Sequence, residues 1–120
     1  MSYIVTEGNV VANAALRETH GGKAVANAVI RVDMRVRNED GSYSDGPTSD
    51  YEITVFGKPA ESFAASATRG ARVFAAGELS VERYNDQDGA SHLRRRIVAE
   101  HHGVSTHFAP AASRRRNGDQ

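Results

Sequence analysis

Residues 51–68 read YEITVFGKPAESFAASAT, and the change of period inside this stretch decides the fold class. Residues 51–56, YEITVF, are β-branched and aromatic, the composition of a strand. Gly57-Lys58-Pro59 stops the strand, and Pro59 suits the first turn of a helix because its missing N–H is not needed there. Residues 60–68 then put Ala60, Phe63, Ala64 and Ala67 on one helical face. A glycine stop near Arg69-Gly70 ends the short helix.

Strands are predicted on both sides. Downstream, 72–84 (RVFAAGELSVERY) alternates, with Val73, Ala75, Gly77, Leu79 and Val81 on one face. NDQDG (85–89) is a hairpin turn, and HLRRRIVAEHH (92–102) is the last strand. Upstream, 24–37 (AVANAVIRVDMRVR) sets Ile30, Val32, Met34 and Val36 against Arg31, Asp33, Arg35 and Arg37, the pattern of a half-exposed strand. NEDGSYSDGPTSD (38–50) reads as a polar loop. Gly21-Gly22 turns the chain, and 3–16 (YIVTEGNVVANAAL) is a first strand in which Gly8-Asn9 predicts a bulge or sharp coil. The expectation is a mainly β fold: a five-stranded OB-fold barrel with one short helix between strands three and four. It occupies residues 1–108 as one domain. Residues 109–120 (APAASRRRNGDQ) lose periodicity and are expected to be a disordered basic tail.

Bulk properties remove several function classes. With 120 residues there is room for one domain. No cysteine is present, which excludes disulfides and zinc–thiolate sites. No apolar run approaches the roughly 20 residues of a membrane span, and the N-terminal residues lack a secretory pattern. The expected location is cytoplasmic and nucleoid-associated. Fifteen basic residues balance fifteen acidic ones. Arg114, Arg115, Arg116 and Asp119 lie in the last eight residues, so the remainder has an acidic excess of two. Charge alone does not point to nucleic acid, whose backbone is bound largely by cations. Adjacent His101 and His102 face opposite sides of a strand and do not form a metal site with His107. Gly57-Lys58 lacks the other residues of a phosphate loop, and no nucleophile elbow occurs. No cofactor and no catalysis are expected.

Four segments taken together resemble the bacterial-type single-stranded DNA-binding proteins: EGNVVANAALRE (7–18), GGKAVANAVIRV (21–32), TVFGKPAESFA (54–64) and RGARVFAAGELSVERYNDQDG (69–89). The likeness spans about residues 3–103. The helix-flanking piece and STHF (105–108) are most similar to actinobacterial or actinophage members. The resemblance implies sequence-independent binding and protection of single-stranded DNA in replication, recombination or repair, by a homotetramer or homodimer. Two alternatives stand beside it: an RNA-binding OB module, and an OB-fold interaction domain with little DNA binding.

A sequence-tolerant binder stacks bases on flat side chains and meets phosphates with cations. The chain has no tryptophan, so the stacking set is reduced. The resemblance assigns base stacking to Phe56, which closes the third strand, and to Tyr84, at the base of the last hairpin. The family's other aromatic positions fall on Val36 and Asp50. Tyr51, which period two sets with Ile53 and Val55, is read first as an interface or barrel-end residue and second as a DNA contact. Tyr43 in the long loop is a weaker candidate. Candidate phosphate contacts are Arg31, Arg35, Arg37, Lys58 and Arg83. Arg94 and Arg96 point one way on the last strand and Arg95 the other. Family members that recruit repair enzymes typically end in an acidic tip with a terminal Phe. Ser113–Gln120 carries three arginines, one aspartate and no aromatic, so tail-mediated protein partners are not expected.

Overall fold

Strand alternation around Ile30, Ile53 and Ile97 builds the centre of the molecule. All three side chains are fully buried, with Val10, Val55, Val73, Ala26 and Ala28 around them. Burying one such isoleucine stabilises the fold by about 1.5–3 kcal/mol. The computed structural model describes residues 2–112. In chain order the elements are β1 (Ser2–Val10), β2 (Ala15–Glu18), β3 (Ala24–Arg37), β4 (Tyr43–Phe56), α1 (Pro59–Ser66), β5 (Arg72–Asn85) and β6 (Ser91–Val104).

Six strands form one sheet in the order β1-β5-β6-β4-β3-β2, and β1 also pairs with β3. The pairings therefore run in a ring, β1-β5-β6-β4-β3 and back to β1. All are antiparallel except β4 with β6, where Ile53 lies beside Ile97. Helix α1 begins with Pro59 at its first turn and buries Ala60 and Phe63. Ala67, which caps its C-terminus, is also buried, and Ala64 packs partly on the same core. The helix ends at Ser66, earlier than the Arg69-Gly70 stop predicts, because Gly70 belongs to a separate turn with φ +87°.

Three expectations need correction. The expected five strands are six, because the first stretch breaks at residues 11–14. Its second part, β2, pairs with Ala24–Asn27 of β3. Gly8-Asn9 is not that break: β1 runs through it in unbroken register with β5. Gly8 serves a crossing, since a Cβ there would stand 2.4 Å from the Arg31 carbonyl oxygen. The polar segment 38–50 is mostly strand. The chain turns at 38–42, where Asp40 accepts hydrogen bonds from the Ser42 N–H and hydroxyl, and re-enters β4 at Tyr43. Gly46 and Pro47 sit where the β3–β4 register shifts between Asp33 and Arg35, which is where a sheet tolerates proline. The basic tail reading falls largely on residues 113–120, which lie outside the described residues.

Candidate nucleic-acid interface

Register alone gathers one outward face from four strands. In β3 and β4 the cross-strand pairs are Val25–Phe56, Asn27–Thr54, Val29–Glu52 and Arg31–Asp50. Paired residues point to the same side, opposite Ala26, Ile30, Ile53 and Val55, and on this side Val25 and Thr54 are themselves buried while Phe56, Arg31 and Asp50 are exposed. The parallel pairs Glu52–Arg96 and Thr54–Val98 extend this face onto β6. Ser80–Arg96, Glu82–Arg94 and Tyr84–His92 carry it across β5. Phe56 and Tyr84, each 43% exposed, thus stand on one side of the sheet at the ends of different strands.

Phe56 sits at a basic corner. Gly57 follows it with φ +85° and donates its N–H to the Ala24 carbonyl at 2.8 Å. This turn swings Lys58 into position before α1. The Lys23 ammonium lies 5.7 Å from the Phe56 ring centroid. A cleft of about 340 Å³ beside them is lined by Gly22, Lys23, Ala24, Gly57, Lys58 and Glu61. A flat ring with one ammonium over it, and the second lysine, Lys58, lining the adjoining cleft, can stack one base and meet the neighbouring phosphate. Lys23 was not among the residues picked from sequence. Counting back two positions from Val25, the partner of Phe56, reaches it.

Tyr84 stands one pair from the β5–β6 turn, so it lies at the tip of this hairpin and not at its base. It stacks on His92 with centroids 5.4 Å apart and 27° between planes, and the Arg94 guanidinium carbon is 5.0 Å from its centroid. The turn itself is tied by Asp86, whose carboxylate accepts from the Asp88 and Ala90 N–H groups and contacts His92 Nε2 at 2.6 Å. The His92 contact, with these N–H bonds, holds the Asp86 carboxyl below the usual carboxylate range. These contacts hold the Tyr84 ring and the turn beside it together.

Between the two aromatics the face is neutralised by ion pairs. Arg31 binds Asp50 through two hydrogen bonds, 3.0 and 3.2 Å, and Arg96 reaches Glu52 at 3.3 Å. Thr54 donates to Asn27 at 2.9 Å. Arg31 is thus on the face but committed to a carboxylate. Arg35 and Arg37 lie past the register shift, on the exposed arm of the β3–β4 hairpin, opposite Asp45 and Tyr43. Tyr43 is exposed and belongs to β4; it is not a loop residue. Arg83 alternates to the side opposite Tyr84 and donates to the Ser91 hydroxyl. Tyr51 lies opposite Ile30 and packs half-buried against the core, apart from Phe56. The histidines diverge as strand geometry predicts: His101 is exposed, whereas His102 meets the Phe63 ring edge-on at 5.1 Å and burial lowers its pKa.

Residues 1–105 match the Single-strand binding protein family. The chain is 32% identical to a single-stranded DNA-binding protein of Paenarthrobacter nicotinovorans, covering 98% of this chain and 71% of that one. It is 30% identical to its counterparts in Mycobacterium bovis, with 90% and 66% covered, and Helicobacter hepaticus, with 81% and 56% covered. The chain thus spans somewhat over half to two thirds of the length of several relatives. The crystal structure of a small single-stranded DNA-binding protein from Streptomyces coelicolor shares the fold, with a TM-score of 0.76 at 22% identity, over 88% of this chain and 94% of that one.

Proposed function

The chain belongs to the Single-strand binding protein family, and from that premise we propose that it binds and protects single-stranded DNA without sequence preference, in replication, recombination or repair. The observation that carries this reading is the outward face that holds Phe56 and Tyr84 on one surface, each with a cation against its ring. Aromatic faces accept any base, and cations beside them meet the backbone. No reacting group is required. The ring of strand pairings is read as an OB barrel whose first strand is β1 and β2 in succession, with α1 between the third and fourth barrel strands.

Phe56 and Tyr84 are the proposed stacking residues. Lys58 is the proposed phosphate contact at the Phe56 corner, Arg31 becomes one when Asp50 releases it, and Arg35 and Arg37 extend the track along the hairpin arm. Tyr43, beside Arg37 on that arm, is the third proposed aromatic contact. Arg83 and Tyr51 are weaker assignments, since they lie off the shared face. A homodimer or homotetramer is proposed with this function. β1 pairs with β3 only at Asn9 and Val10, and β3 crosses it at Gly8, which leaves the Ser2–Glu7 edge without a strand partner on that side among the described residues. Tyr3 and Val5 are exposed along it, at 55% and 71%. An open apolar edge suits a second copy.

Competition among matched oligomers tests the function. Unpaired DNA should displace a bound labelled strand far better than duplex of the same sequence. Preference for the matched RNA would support the RNA-binding alternative, since only a contact to the 2′-OH distinguishes the two.

A further inference from the structure

Past the last strand the chain folds back and sets an aromatic ring on the outside of the molecule. Phe108 is 74% exposed, more than any other large apolar side chain among the described residues. It is nevertheless held. The Ser105 N–H donates to the Arg72 carbonyl at 2.8 Å, and the Ser105 hydroxyl donates to Glu7 at 3.0 Å and accepts from the His107 N–H at 3.2 Å. Arg72 is fixed in turn by Glu7 at 2.5 Å, with both side chains about two-thirds buried. The Arg72 guanidinium lies 4.8 Å from the Phe108 centroid, and the His107 ring meets Phe108 edge-on at 4.4 Å.

The ring also divides two grooves. One of about 330 Å³ lies towards Gly70, Val104 and Pro110. The other, of about 510 Å³, lies towards Asp33, Arg35 and Asp45. Register joins this place to the face already described. Arg31 pairs with Asn9, and Asn9 pairs with Arg72, so the row Asp50–Arg31–Asn9–Arg72 leads from the proposed DNA face to the foot of Phe108.

We propose that Phe108, backed by Arg72, is a further base-stacking platform for single-stranded DNA. The proposal rests on the DNA-binding reading. A fixed aromatic with a cation against it and an open groove beside it has the parts needed to stack a base. The larger groove carries Asp33 and Asp45 beside Arg35, so the Phe108 ring takes the base and Arg35 is the groove's backbone contact. The family match ends at residue 105, and Phe108 lies beyond it. The chain has no tryptophan, so a platform here supplies stacking area from a different element.

The absence of tryptophan also supplies the test. Phe108→Trp and Phe56→Trp each introduce a sole tryptophan, and a stacked base quenches its emission. Titration of both full-length variants with oligo-dT, alongside wild-type protein followed by anisotropy of labelled oligo-dT, separates the cases. The expected result is quenching at both positions. Phe108→Ala should weaken oligo-dT binding by about tenfold with unchanged thermal midpoint and unchanged oligomer mass. Quenching at position 56 but not at 108 would overturn the platform and leave the DNA-binding reading intact. Undisturbed DNA affinity of Phe108→Ala with an altered oligomer mass would overturn it in favour of a contact between copies. Absence of wild-type binding would remove the reading and the platform together.

Discussion

The ammonium of Lys23 lies 5.7 Å from the centre of the Phe56 ring, although the two residues are 33 positions apart in the chain. The β3–β4 register brings them together: Val25 pairs with Phe56, and the turn that precedes β3 carries Lys23 back over the ring. Removal of each partner should therefore have a distinct signature. Phe56→Ala should weaken oligo-dT binding by about 1–3 kcal/mol, the range for one stacked base. Lys23→Ala should weaken it less, and chiefly at low salt. Because Phe56 is 43% exposed, its thermal midpoint should hardly move. Early melting of Phe56→Ala, with normal binding by the folded fraction, would place the ring in the core.

Tyr84 offers a second separation of binding from folding. It is supported by His92 and Arg94, not by the core cluster. Tyr84→Ala should lose affinity on the same scale as Phe56→Ala, while Tyr84→Phe should retain most of it, since the ring and not the hydroxyl stacks. Equal losses in the two variants, measured by oligo-dT titration, would contradict a stacking role.

Asp50 restrains Arg31 through two hydrogen bonds on the proposed face. Asp50→Asn removes a negative charge and releases the guanidinium. Oligo-dT affinity should rise at low salt, and the slope of log K against log salt should steepen by about 0.7, the value for one additional single-strand phosphate contact. An unchanged slope would mean that Arg31 does not meet the backbone.

Glu7 ties β1 to Arg72 and to the segment that carries Phe108. The hydrogen bond from Arg72, helped by that from Ser105, holds its carboxyl below the ordinary value of 4.5. A carboxylate with a depressed folded-state pKa contributes stability that is fully present above its unfolded pKa. That contribution is lost as pH falls through the folded one. Thermal midpoints of wild type and Glu7→Gln should therefore differ at neutral pH and converge as the pH drops below the normal glutamate range. Parallel curves through that range would show that the pair does not stabilise the fold.

The order strand, helix, strand was legible because Ile53, Ala60, Phe63 and Val73 are apolar at the spacing each element needs, and all are buried. Other features resisted reading for identifiable reasons. Gly46 and Pro47 look like loop residues, yet they occupy an irregular step where β3 and β4 shift register. Hence 38–50 resembled a loop although most of it is strand. Gly8 suggested a bulge because a glycine's need for space at a crossing strand is set by a partner far along the chain. Period two separated Tyr51 from Phe56 correctly. Lys23 and His92 were missed because their meaning depends on cross-strand partners, and register is not written in either strand alone. Phe108 lies in STHF (105–108), a segment whose residues carry no sign of what the ring rests on, since its neighbours come from β1 and β5.

The proposed role of this surface is to bind single-stranded DNA through bases and backbone together. Its most direct test is anisotropy of a labelled ~35-mer of dT, long enough for several OB sites of ~4–16 nucleotides, titrated with wild-type protein at two salt concentrations. Saturable binding is expected at low salt, weakening as salt rises and shared by mixed-sequence oligomers. Absence of detectable binding at low salt would contradict it.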